Sequence, residues 1–346
     1  MIYVKVLLYT EGLKAIGISG LGKAVQHQMR ALEEQQIDYT CDLHVKEYDL
    51  VHINFYGPKS YHLAKKARRQ GKKVVYHAHS TMEDFRNSFL LSNQLAPLFK
   101  WWICKCYNLG DSIITPTLYS KKLLKGYGIQ KPIYAISNGI DTPFFERDEA
   151  LGKEFRATYG FTENQKVIVG IGLYIERKGI LDFVELAKRL PQYQFIWFGS
   201  SPLAASPLKI RQAVTSKLPN LQFPGHVESK MIHAALSGCD LFLMPTQEET
   251  EGIPVMEAAI AKAPTIIRDI PIFEAWLEDG ISTYKAKDID EFEKKTKLIL
   301  EGKLKPVVEE TYKIAKQKDM EVVGKQLITA YEETLAETQN PEKWGL

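Results

Sequence analysis

Asp240-Leu241-Phe242-Leu243-Met244 is a short apolar run of the length and make-up of a buried strand, and it passes through a loop containing Gly252 into a helical pattern that starts at Glu257. A strand leading through a glycine-containing loop into a helix is the repeating unit of parallel α/β sheets. The same order opens the chain: a strand pattern over Met1 to Leu8, the loop Gly17-Ile18-Ser19-Gly20-Leu21-Gly22, and helical spacing from Val25 to Leu32. Further strand patterns alternate with helices at 49–55, 73–77, 112–115, 133–136, 166–171, 194–198, 221–227 and 264–269. Two successive parallel sheets are therefore expected.

A helix entered through a small-residue loop offers backbone N–H groups and a positive dipole end to an anion. Glu249 stands on the loop and Glu257 just inside the helix, with seven residues between them. Amides for a phosphate and carboxylates for hydroxyls suit a phosphorylated sugar ligand. An ordinary alternative is open at this point: Glu257 is a first-turn acid favoured by the helix dipole.

A length of 346 residues exceeds one ordinary domain, and 45% hydrophobic with 25% charged residues describes a globular chain. No apolar run reaches the eighteen or so residues that span a membrane, and the first residues carry neither a basic leader nor a small-residue cleavage site. Cys41, Cys104, Cys106 and Cys239 show no CxxC spacing and no histidine cluster beside them, so neither a disulfide framework nor a zinc site is expected. A reducing cytoplasm is the expected compartment. The net charge of +3 is unevenly shared: through Asp141 there are 19 Lys/Arg against 11 Asp/Glu (+8), and beyond it 26 against 31 (−5). An anionic surface met by the first half is implied.

Three features of the first half bear on function. Gly17, Gly22 and Lys23 fit the start of a phosphate-binding GxxxxGK loop, but Ala24 stands where a magnesium-holding Ser or Thr belongs, and the glycine order is wrong for a dinucleotide fingerprint. The apolar run 73–77 ends in His77 and His79, on one side of an extended chain and at the carboxyl end of a strand, where open α/β sheets place ligands. They read as a metal pair lacking a third ligand, or as a substrate contact. Lys65, Lys66, Arg68, Arg69, Lys72 and Lys73 put six basic residues into nine positions. The helix beyond has one apolar face over Leu95, Leu98, Phe99, Trp102, Ile103, Cys106 and Leu109, with Lys100, Trp101 and Lys105 off it. This pair of segments reads either as an interfacial surface for anionic lipid or as a buried helix with a solvated neighbour.

In the second half, Glu176-Arg177-Lys178-Gly179 follows a strand. Asp288-Ile289-Asp290 has the DxD spacing of a nucleotide-diphosphate metal site, or of a helix cap.

Taken together, the glycine loop at 17–22, Tyr76-His77-Ala78-His79-Ser80, Asn138-Gly139-Ile140-Asp141, Glu176-Arg177-Lys178-Gly179, Phe223-Pro224-Gly225-His226-Val227 and the Glu249/Glu257 pair make the chain resemble the retaining nucleotide-sugar glycosyltransferases of glycosyltransferase family four. That resemblance implies the GT-B fold, two Rossmann-like α/β domains facing across a cleft. It implies an N-terminal acceptor- and membrane-binding domain over 1–148, a nucleotide-sugar domain over 149–325, and a C-terminal helix and tail over 326–346 returning to the first domain. By the same resemblance Lys178 neutralises a donor diphosphate, the amides of Gly252 and Ile253 bind its oxygens, Glu257 holds the ribose and Val227 meets the base. Glu249 and His79 face the transferred sugar, while Gly20 and Gly22 let the backbone come close to the ligand. An arginine common in the family is Leu173 here, with Arg177 as the candidate replacement. Glu251 stands where many members carry an aromatic.

The implied reaction is front-face displacement with retention, from a UDP-sugar donor and with no metal in the scheme. Glu248 to Pro254 and Arg268-Asp269-Ile270-Pro271 look like the Gram-positive enzymes that extend monoglucosyl-diacylglycerol. A hexose donor (glucose favoured, galactose possible), a glycolipid acceptor, an anionic membrane met through Lys65 to Lys73 and the Trp101 helix, and no nucleic acid partner are therefore expected. The site would be peripheral to the inner face of the cell membrane. Rival readings are a transferase for a soluble or capsule-type acceptor, a nucleotide kinase built on Gly17 to Lys23, and a non-catalytic glycolipid- or partner-binding protein.

Overall fold

The structure is a computed structural model that describes residues 4–12 and 20–336. Gly17 and Ser19 of the first glycine loop, and the tail with Trp344, lie outside the described residues.

The first unit comprises the chain up to Met82, Leu95–Gly139 and the segment from Lys318 onward. In chain order its elements begin with β1 (Lys5–Tyr9), α1 (Gly20–Glu34), β2 (Asp38–Thr40), β3 (Leu50–Ile53), α2 (Pro58–Arg69) and β4 (Lys73–His77). After the short α3 (Met82–Phe85) come α4 (Ser92–Tyr107), β5 (Ser112–Thr115), α5 (Leu118–Gly126) and β6 (Ile133–Ala135). The second unit, Glu83–Gln94 with Ile140–Gln317, opens with α6 (Thr142–Phe145), α7 (Glu149–Thr158), β7 (Val167–Ile171), α8 (Ile180–Arg189) and β8 (Gln194–Phe198). It continues with α9 (Leu208–Val214), β9 (Leu221–Gly225), α10 (Ser229–Gly238), β10 (Leu241–Met244) and α11 (Ile253–Ile260). Last come β11 (Thr265–Arg268), α12 (Pro271–Glu274), β12 (Tyr284–Ala286), α13 (Ile289–Leu300) and α14 (Val308–Lys316), before α15 (Met320–Ala336) rejoins the first unit.

Each unit holds a six-stranded parallel sheet, ordered β2-β1-β3-β4-β5-β6 in the first and β12-β11-β10-β7-β8-β9 in the second. Side chains alternate across a strand, and the first sheet obeys that rule. Leu7, Val74, Tyr76 and Ile113 face a core shared with α2, α4 and α5. Val6, Val75 and Ile114 face the opposite core, which contains Leu32 of α1 and Met320, Leu327 and Tyr331 of α15. Each such fully buried side chain contributes roughly 1.5–3 kcal/mol. The last helix therefore closes one face of the first sheet, as the resemblance implied. Gly324 permits this: a Cβ there would stand 2.5 Å from the Ala31 carbonyl oxygen of α1.

Strand order reverses between β1 and β3 in the first sheet and between β7 and β10 in the second. Such switch points, at the carboxyl ends of the strands, are where open α/β sheets bind ligands.

Candidate active site

At the second switch point β7 leads to a single 3-10 turn, Glu176–Lys178, and β10 leads to the loop 245–252. Gly179 lets the two meet. Its φ is +77°, and a Cβ there would fall 2.1 Å from the Pro245 carbonyl oxygen, so only glycine fits. The segments are then stitched together: Gln247 N donates to the Arg177 carbonyl at 2.7 Å, and Arg177 Nη1 donates to the Glu248 carbonyl at 2.8 Å. Arg177 also donates through its backbone N to the Asn87 carbonyl and through Nε to the Ser88 hydroxyl.

This scaffold holds an ion pair. Lys178 Nζ donates to Glu249 Oε1, and the same oxygen lies 3.0 Å from the Thr246 hydroxyl. Both side chains are largely buried, Glu249 at 7% exposure and Lys178 at 16%. Burial pushes the Lys178 ammonium below its ordinary range, and the Glu249 carboxylate opposes that shift. Thr246, which the sequence reading did not single out, reaches both the turn and the carboxylate.

The loop ends at Gly252, a left-handed N-cap with φ +87° and no side-chain cap for α11. Pro254, inside the first turn, has no N–H to leave unmet. Glu257 lies one turn further in and is fully buried, as is Glu251 on the loop. Val227 lines a recess of about 310 Å³ with Leu151, Tyr159 and Met231. Asp288 caps α13 by accepting from Glu291 N at 2.9 Å, and Asp290 pairs with Arg189, so the DxD spacing here serves a helix terminus. Among the described residues no group of three or more His, Cys, Asp or Glu side chains is placed to hold a metal ion.

The first unit builds its switch point differently. Gly20 opens α1 and Gly22 is buried within its first turn, so the helix begins earlier than the spacing of Val25 to Leu32 indicates. His77 and His79 stack with ring centroids 3.8 Å apart. Their loop is pinned by Ala78 N donating to the Ile114 carbonyl and by the Tyr107 hydroxyl donating to the Ser80 carbonyl. Behind the rings lies a polar network. His52 Nε2 is 3.2 Å from His77 Nδ1, His52 Nδ1 is 2.7 Å from the Tyr331 hydroxyl, and Gln28 Nε2 is 2.8 Å from the His52 ring. Burial holds His52 and His79 down to about 3 and His77 well below the usual imidazole range, so all three rings are neutral at pH 7.

Residues 23–144 match the family described as Glycosyltransferase Family 4, and residues 152–318 match Glycosyl transferases group 1. The chain is 39% identical over 333 residues to the processive diacylglycerol alpha-glucosyltransferase of Acholeplasma laidlawii, covering 96% of this chain and 99% of that one. The chain belongs to glycosyltransferase family four. It is a retaining glycosyltransferase with the GT-B fold. It is also 26% identical to the alpha-galactosylglucosyldiacylglycerol synthase of Streptococcus pneumoniae, over 80% of this chain and 74% of that one. In fold it is similar to Anabaena HepE, solved with UDP and glucose, at a TM-score of 0.74 and 16% identity, covering 96% of this chain and all of the other.

Away from its two switch points the transferase carries a surface that the sequence reading placed only in part. Trp101 is exposed on α4, and at the N-terminal end of the apolar face Leu95 and Leu98 are exposed with it at 42% and 61%. Ile103 and Cys106 of that face are buried together with Ala96 and Tyr107, and Trp102 Nε1 donates to the Tyr56 carbonyl at 2.7 Å. Lys105 Nζ lies 4.1 Å from the Trp101 ring centroid and Lys100 Nζ 4.4 Å from that of Tyr127. Between them is a recess of about 510 Å³. Of the basic run, Arg68 and Lys73 engage Asp111, whereas Lys65, Lys66 and Arg69 are exposed. No helix among the described residues is long and apolar enough to cross a membrane.

Proposed function

We propose that this transferase moves a hexose, glucose rather than galactose, from a UDP-sugar to monoglucosyl-diacylglycerol and so makes a diglycosyl-diacylglycerol at an anionic membrane surface. The observation that carries the reading is the likeness to the Acholeplasma enzyme over nearly the whole of both chains. The galactosyl relative keeps UDP-galactose as the competing donor.

In this reading the diphosphate lies at the start of α11, on the amides of Gly252 and Ile253, with Lys178 beside it. Glu257 takes the ribose and Val227 the base. Arg177, already bonded to the Glu248 carbonyl and the Ser88 hydroxyl, serves the nucleotide by fixing the turn that carries Lys178. Glu249 and His79 contact the transferred sugar, and Gly20 and Gly22 allow close backbone approach. The acceptor hydroxyl attacks C1 on the face from which UDP departs. The C1–O bond to the phosphate breaks as the new one forms, and the acceptor proton passes to a phosphate oxygen. Lys178 and the positive end of α11 stabilise the charge that develops on the leaving diphosphate.

Leu95, Leu98 and Trp101 dip into the headgroup region, while Lys100, Lys105 and the exposed members of the Lys65 to Lys73 run meet anionic lipid, about 1 kcal/mol per basic residue near the surface. In this reading the enzyme sits peripherally on the inner leaflet.

The test is incubation of the purified protein with UDP-glucose, UDP-galactose and vesicles carrying diacylglycerol or monoglucosyl-diacylglycerol, with products identified by mass and linkage. A diglucosyl lipid with the new bond in the α configuration is expected. Transfer only to water-soluble acceptors, and indifference to anionic vesicles, would overturn the acceptor and membrane assignments.

A further inference from the structure

Asn54 follows β3 at the first switch point, where its backbone N donates to the Tyr9 carbonyl of β1 at 2.9 Å. Its side chain is fully buried. Asn54 Nδ2 donates to Gln28 Oε1 at 2.8 Å, and Gln28 in turn directs its own Nε2 at the His52 ring. With the amide in this orientation its other end, Oδ1, an acceptor only, lies 2.9 Å from His79 Nε2. An acceptor-only partner requires the proton to be on His79 Nε2. A neutral ring then carries its lone pair on Nδ1.

We infer that Asn54 is the positioning residue of His79, holding the ring in its Nε2–H tautomer so that Nδ1 is the face offered to substrate as a hydrogen-bond acceptor. The inference rests on the reading of His79 as a sugar contact, and it adds a direction to that contact: His79 accepts a hydrogen bond from a sugar hydroxyl and does not donate one. Neutrality of the ring follows from its burial beside His77 and His52, neither of which is charged. The alternative is that Asn54 only satisfies the buried Gln28 amide, in which case the tautomer of His79 is indifferent to it.

The full-length protein carrying ¹⁵N-labelled histidine distinguishes the two by long-range imidazole spectra at pH 7. The native His79 signal should be that of the Nε2–H tautomer. In Asn54→Leu it should move to a tautomer mixture, with kcat/KM for hexose transfer falling about tenfold, the worth of one hydrogen bond. Asn54→Asp keeps an acceptor at that position and should keep the native signature and recover most of the rate. An Nδ1–H tautomer in the native spectrum overturns the inference without any variant. So does an unchanged spectrum and rate in Asn54→Leu when His79→Ala has lost turnover. Wild-type turnover in His79→Ala removes the sugar contact itself, and the native spectrum still reports on what Asn54 does to the ring.

Discussion

At the carboxyl ends of β3 and β4 the first unit sets His52 and His77, both buried, against the part-buried His79, with no counter-charge beside them among the described residues. At the carboxyl ends of β7 and β10 the second buries a lysine and a glutamate against each other. Burial is similar in the two places and its result is opposite. Without opposite charges, desolvation keeps the histidines neutral and leaves them to act through direction, one donor and one acceptor per ring. With Glu249 beside it, Lys178 has a partner that opposes its loss of charge, and a cation remains near the start of α11. In the proposed reaction one sheet would orient a sugar and the other would absorb charge from a leaving group.

The sharpest way to break that contrast is to remove charge from the second unit. Lys178→Met should lower transfer about 10³-fold, the upper range for losing one group that stabilises developing charge. It should also destabilise the fold by about 3–5 kcal/mol, because Glu249 is left buried and unpaired. Adding Glu249→Gln should restore stability and leave the rate low. Thermal unfolding and steady-state kinetics on the same samples separate the two effects.

A smaller effect is expected from acid, and it belongs to the first unit. His52 and His77 have folded pKa values depressed by burial, so below about pH 6.5 the unfolded chain takes up protons that the folded chain refuses. Their stabilisation is complete above pH 6.5 and is lost as pH falls through the folded pKa values, about 3 for His52. At pH 5 His52 should have cost the fold about 2 kcal/mol, with His77 acting in the same direction. Urea unfolding at pH 7 and pH 5 measures this, and replacing His52 with Gln should remove the His52 share of the difference. Equal stability at both values would mean the rings are not buried neutral.

Smallest is Tyr331→Phe, which removes the hydroxyl that meets His52 Nδ1. A loss of about 1–2 kcal/mol is expected, the cost of leaving a buried ring nitrogen short of one partner. Unfolding followed by tyrosine and tryptophan fluorescence would show it.

Much of this was legible in the residues. The β10 run and its glycine loop stand where the apolar pattern puts them, because a strand in a sheet covered on both faces has to be apolar throughout, while the helix after them starts at Ile253, one turn before the expected Glu257. Glu249 and Lys178 were singled out from local motifs, and the switch point brings them together. Less legible was α4. Periodicity groups Leu95, Leu98, Ile103 and Cys106 on one apolar face but does not say whether that face meets a core or an interface, and here Ile103 and Cys106 are buried while Leu95 and Leu98 are exposed. The Gln28, His52, Asn54 and Tyr331 network was invisible for a different reason. His52 and Tyr331 are 279 positions apart, and only the strand order and the return of α15 make them neighbours. Thr246 and Asn54 belong to no motif, because their work is to hold another side chain.

The return of α15 also sets an order of events during synthesis. Tyr331, Leu327 and Met320 fill the face of the first sheet that holds Val6, Val75 and Ile114, yet they are translated after every strand of both sheets. Until then that face of the first sheet is covered only in part, by α1, while the second unit, encoded up to Gln317, already has every residue of its own core. The part translated first is therefore the part completed last, and a chain stopped short of Met320 presents a half-covered sheet to the cell's chaperones and proteases.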